Sequence, residues 1–93
     1  MKTINVNKSV NGVYSSVDGY TLYCILRPYF LSNQTVTVSF KDIPLMSSSF
    51  FNSSFGELID EFGISSFKEI IKIVDITNSQ AKFFRRYLEM HIQ

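Results

Sequence analysis

Residues 35–40, TVTVSF, alternate without a break: Val36, Val38 and Phe40 fall on one side, Thr35, Thr37 and Ser39 on the other. Only an extended chain places every second side chain on one face, so this is the clearest strand in the sequence. Ile4 and Val6 in TINVN repeat the same period over a shorter span and predict a first strand. IIKIVDI, residues 70–76, is almost continuously apolar and predicts a strand covered on both faces. Val13 and Tyr14 are compatible with one more short strand inside the turn-rich KSVNGVYSSVDG.

Between these segments the period becomes helical. Asp18 is the expected N-cap of a helix carrying Leu22, Ile25, Leu26 and Tyr29. Pro28 either ends that helix near Leu26 or kinks it on its way to Leu31. Phe51, Phe55, Leu58, Ile59 and Phe62 predict a second helix from about Ser49 to Phe62, with Gly63 as its stop. Ser66 and Glu69 have the spacing of a capping box for a short turn. Asn78 or Ser79 is expected to cap a last helix with Ala81, Phe84, Tyr87, Leu88 and Ile92 on its apolar side. The resulting order, β-α-β-α-β-α, predicts a single small α/β domain over residues 1–93, with a mainly parallel or mixed sheet and helices packed on it.

A chain of 93 residues suits one core, and nine Phe and five Tyr supply much buried area from few positions. A net charge of +1 gives no reason to expect a nucleic-acid or acidic-membrane partner. Lys82, Arg85 and Arg86 form a small basic cluster, read either as a solvated helix face or as a phosphate-reading patch. The single cysteine, Cys24, excludes an internal disulfide, and its place in the apolar TLYCILRP predicts a buried thiol. MKTINVNK lacks the apolar run of a signal peptide, and LYCIL is far shorter than the ~20 residues of a membrane span. A cytoplasmic location is expected.

Familiar site chemistry is missing from the sequence. His91 is the only histidine, so a zinc site with three or four His and Cys ligands is excluded. Gly12, Gly19, Gly56 and Gly63 match no phosphate-loop or dinucleotide fingerprint. Asp42, Glu57, Asp60 and Glu61 form no calcium loop. No metal, cofactor or catalytic set is expected, which favours a binding module over an enzyme.

One stretch stands out: LMSSSFFNSSFGELIDEFG, residues 45–63. Ser47, Ser48 and Ser49 open the second helix, yet one serine is enough to cap an orphan backbone N–H. Asn52, Ser53, Gly56 and Glu57 make a small-residue face that another backbone can approach. Phe50 lies off the apolar stripe, in the row of Ser54, Glu57 and Glu61; it either tucks under a loop or anchors a partner. The candidate partner-binding residues are therefore Ser47, Ser48, Ser49, Phe50, Asn52 and Ser53.

Taken in order, TVTVSFKDI, PLMSSSFFNSSFGEL, FG and IIKIVDITN, with DGYTLYCIL upstream, resemble the STAS-like family of small bacterial domains over nearly the whole chain. That family is related in fold to the anti-sigma factor antagonists, whose equivalent helix start reads Met-Asp-Ser-Ser-Gly. Laid on MSSSF, the resemblance puts Ser48 at the phosphorylatable serine, while Ser47 replaces the acidic residue and Phe50 the glycine. It implies a regulatory protein-binding module with a histidine-kinase-like ATPase as partner. Phosphorylation of Ser48 would switch binding without unfolding, by adding about −1.5 to −2 charges. The alternative is a small phage or mobile-element accessory protein, acting by stoichiometric binding or as a homodimer. Nucleotide binding, as in some STAS relatives, would show as thermal stabilisation.

Overall fold

A computed structural model describes residues 2–91, His91 by its backbone only. Strands β1 (Lys2–Asn5), β2 (Val36–Ser39) and β3 (Ile71–Val74) form a wholly parallel three-stranded sheet in the order β1-β2-β3. Thr37 pairs with Thr3 on one side and Lys72 on the other. Val36 and Val38 of the central strand are fully buried. The parallel sheet requires crossovers, and the expected α/β class is the one observed.

Helix α1 (Val6–Ser9) follows β1 directly, so Val6 leaves the strand predicted for it and is buried from a helix. Val13 and Tyr14 form no strand; Val13 is buried and its carbonyl accepts from Ser47 N–H. Helix α2 (Ser16–Leu31) is capped by Ser15, whose hydroxyl accepts from Asp18 N–H at 3.1 Å. Asp18 therefore sits in the first turn, favourable beside the helix N-terminus, and is not the cap. Pro28 lies inside α2 without ending it. The hydrogen bond it cannot make belongs to the carbonyl of Cys24, and both residues are exposed. Cys24 is exposed, not buried as its apolar context suggests, because Leu22 and Leu26 take the inward positions.

The second predicted helix is composite. It runs as α3 (Ser48–Phe51), a π-helical stretch (Asn52–Gly56) and α4 (Glu57–Phe62). Two serine hydroxyls explain the widened turn: Ser53 donates to Ser49 O at 2.9 Å, and Ser54 to Phe50 O at 2.7 Å. Such back-bonding competes for the carbonyls of the helical ladder. Gly63, at φ +92°, ends α4. Helix α5 (Ile64–Ile70) begins directly after it, so Ser66 lies inside a helix and caps nothing. β3 is an edge strand with Lys72 and Val74 exposed, not a strand covered on both faces.

Helix α6 (Asn78–His91) is opened by Thr77 rather than Asn78 or Ser79. Thr77 Oγ1 accepts from Gln80 N–H at 3.1 Å, and Gln80 Oε1 accepts from Thr77 N–H at 2.9 Å, a reciprocal capping box. Of its predicted apolar positions, Phe84 is buried and Ala81, Tyr87 and Leu88 are half-buried. Ile92 lies outside the described residues. Phe40, Phe51, Phe55, Phe67 and Phe84 form one aromatic cluster joining the sheet, the composite helix, α5 and α6. Among the described residues no helix is long and apolar enough to cross a membrane.

Candidate functional site

The loop after β2 is set by its own polar groups. Ile43 N–H bonds Phe40 O, and Asp42 adopts φ +62°, a value Asp tolerates in turns. Buried Gln80 then reaches across from α6, donating through Nε2 to Ile43 O at 2.6 Å and to Pro44 O at 3.3 Å. This fixes the first turn of α6 beside the loop that leads into α3. Leu45 is left 54% exposed, while Met46 turns inward.

Ser47 performs the capping. Its hydroxyl accepts from Phe50 N–H at 3.1 Å and donates to Tyr14 O at 2.7 Å, tying α3 to the segment before α2. Removing one cap costs about 1 kcal/mol, and Ser47 also loses a tertiary bond. Ser47→Ala should therefore lower unfolding free energy by ~1–2 kcal/mol in urea titrations. Ser48→Ala, on an exposed residue outside the cap, should stay within ~0.5 kcal/mol of wild type.

The six predicted residues separate. Ser47 is half-buried in its cap, and Ser48 and Ser49 are exposed. Phe50 is fully buried, so it is not an exposed anchor. It lies in the first turn after the Ser47 cap, with its carbonyl against Gly19 of α2. Ser53 is half-buried and also faces α2: a Cβ built on Gly19 would lie 1.9 Å from Ser53 Oγ and 2.5 Å from Phe50 O. The backbone that approaches the small-residue face is thus the chain's own. Asn52 is exposed, and its side-chain oxygen accepts from the Tyr87 hydroxyl of α6.

Ser48 and Asn52 remain together on the surface. They share a groove of about 350 Å³ with Phe83, Arg86, Tyr87 and Met90 of α6. A neighbouring depression of about 220 Å³ joins Leu45, Ser79, Lys82, Phe83 and Arg86. The basic cluster divides: Arg86 shares the groove with Ser48, Lys82, one turn earlier, lines the adjoining depression, and Arg85 lines a different groove with Lys68 and Ile73. Burial pushes the Tyr87 hydroxyl up to about 12, helped by the nearby acids Asp60 and Glu57, so it remains a donor to Asn52 at neutral pH. Met90, 68% exposed, and Leu45 flank the serines with apolar surface.

Chemically this is a contact surface: hydroxyl, amide and guanidinium groups between apolar side chains. Among the described residues no group of three or more His, Cys, Asp and Glu is placed to hold a metal ion. Sequence reasoning found Ser48 and Asn52, and Arg86 within the phosphate-reading alternative, but missed Leu45, Phe83, Tyr87 and Met90. The available signal was the Lys82–Arg86–Met90 spacing of four, which puts these side chains on one helical face. A family model described as a STAS-like domain of unknown function (DUF4325) matches residues 20–81, about two thirds of the chain. No curated protein and no solved structure matches it.

Proposed function

The chain belongs to the STAS-like domain family, and from that premise we propose that it is a regulatory module acting by binding and not by catalysis. Its docking surface is the start of α3 together with the facing side of α6. The observation that carries this reading is the position of Ser48, exposed and outside the cap, in one groove with Arg86 and Met90. Such a surface suits a protein partner, with the flanking Leu45 and Met90 as apolar contacts and the polar groups setting register. The partner class is a histidine-kinase-like ATPase, and neither nucleic acid nor membrane is involved.

Phosphorylation of Ser48 is the proposed switch. A phosphate there brings about −1.5 to −2 charges beside Arg86, with Lys82 in the adjoining depression. The Ser47 cap is untouched, so the fold persists while the positive charge of the docking surface is largely neutralised. Phe50 sits in the core and leaves the surface around Ser48 open to a modifying enzyme.

The test is quantitative capture from source cells with wild type, Ser48→Ala, Ser48→Asp and Met90→Glu. One regulatory protein should be enriched at least tenfold by wild type and Ser48→Ala, and lost with the other two, at unchanged melting temperature. The same proteins returning with all four baits would remove this surface from consideration.

A further inference from the structure

Among the described residues nothing covers the outward face of α2. Val17 is 75% exposed, Tyr20 59% and Leu31 63%, and Cys24 and Pro28 are exposed between them. These five positions climb the helix in steps of three, four, four and three residues. That is the spacing of a helix–helix seam, and it reads identically from either end. Tyr14, 62% exposed, extends the apolar surface beyond the first turn. On an isolated monomer, a continuous stripe of this kind marks an interaction site.

We infer that this face pairs with the same face of a second copy, the two α2 helices running antiparallel about a twofold axis at Cys24. A twofold interface must be self-complementary. Here the axis sets Val17 of one copy opposite Leu31 of the other, Tyr20 opposite Pro28, and Cys24 opposite itself. The hollow lined by Tyr20, Tyr23, Cys24, Arg27, Pro28 and Leu31, about 360 Å³ in extent, can receive a side chain from the other helix. Charge does not oppose the pairing. Arg27 at the seam's edge is already held by Glu61, with Arg27 Nη2 2.7 Å from Glu61 Oε2, and Tyr23 donates to the same carboxylate. These bonds hold the Glu61 carboxyl below its ordinary range, so the pair stays ionised and mutually neutralised at neutral pH.

A seam of four turns lies at the small end of stable interfaces, roughly 1,000 Å² in total, so a micromolar dimer is expected. This inference is independent of the proposed docking surface, with which it shares no residue. The experiment uses the full chain under reducing conditions, in sedimentation velocity from about 1 to 500 µM. Wild type should pass from monomer to dimer across that range. Tyr20→Asp and, separately, Leu31→Asp should weaken the dimer at least tenfold while leaving the circular dichroism spectrum unchanged. A short bismaleimide should link two copies through Cys24 in wild type and fail in Cys24→Ser. A monomer at every concentration overturns the inference. So does a dimer that survives both aspartate variants, or one that Cys24 cannot link.

Discussion

Gly19→Ala should destabilise the domain by about 3 kcal/mol, although alanine normally strengthens a helix. The intrinsic gain is ~1 kcal/mol. Against it stands a Cβ that would lie 2.5 Å from Phe50 O and 1.9 Å from Ser53 Oγ. The hydroxyl can rotate, but the carbonyl belongs to a buried backbone and cannot yield alone. Overpacking typically costs about 1–3 kcal/mol, and against an unyielding backbone carbonyl about 4 kcal/mol, which leaves about 3 kcal/mol after the helix gain. In a domain of this size each kcal/mol moves the melting temperature by ~4–8 °C, so the transition should fall by about 15 °C. Adding Ser53→Gly should recover only part of the loss, because the clash with Phe50 O remains. A Gly19→Ala protein as stable as wild type would mean that α2 does not approach the π turn so closely.

Phe51→Ala should cost about 3–5 kcal/mol, a large share of the 5–15 kcal/mol typical of small domains. Phe51 is fully buried, and its ring lies 4.6 Å from Phe84, 5.3 Å from Phe55 and 4.0 Å from Tyr87, centroid to centroid. Truncation leaves a cavity among rings that share contacts and so cannot collapse independently. Phe51→Leu keeps most of the volume and should cost no more than ~1.5 kcal/mol. The alanine variant should also loosen Tyr87 and with it the Asn52 wall of the groove, coupling core packing to the docking surface. Urea unfolding at constant m-value reads the first effect. Amide exchange along α6 reads the second.

The strands were legible because period-two alternation and a dense apolar run admit few other readings. The parallel order followed from the alternation of elements. The composite helix was legible in extent but not in pitch. Phe51, Phe55, Leu58 and Ile59 suit an α-helix and a π-widened one alike. The widening shifts the phase, so Phe50 and Ser54 turn inward while Glu57 and Glu61, once in their row, stay outside. Gly19 read as a turn glycine, since nothing local reveals a helix crossing it. Cys24 read as buried because apolar neighbours alone do not say which helical face meets the core.

The candidate site was half legible for the same reason. Ser48 and Asn52 stand one turn apart in a recognisable helix start. Arg86 and Met90 join them only in the folded chain, where the Gln80 clamp, the Tyr87–Asn52 hydrogen bond and the packing of Phe51 on Phe84 hold α6 in place. Thr77 and Gln80 do carry a capping-box signature, and reading it would have placed the start of α6 correctly.

The docking role of this surface is tested most directly by a photo-crosslinking amino acid placed at Ser48 and, as a control, at exposed Glu69 of α5, with irradiation in the source cells. A single discrete adduct from position 48, absent from position 69, is the expected result. No adduct at position 48, or the same adducts at both positions, would contradict a partner-binding surface at the start of α3.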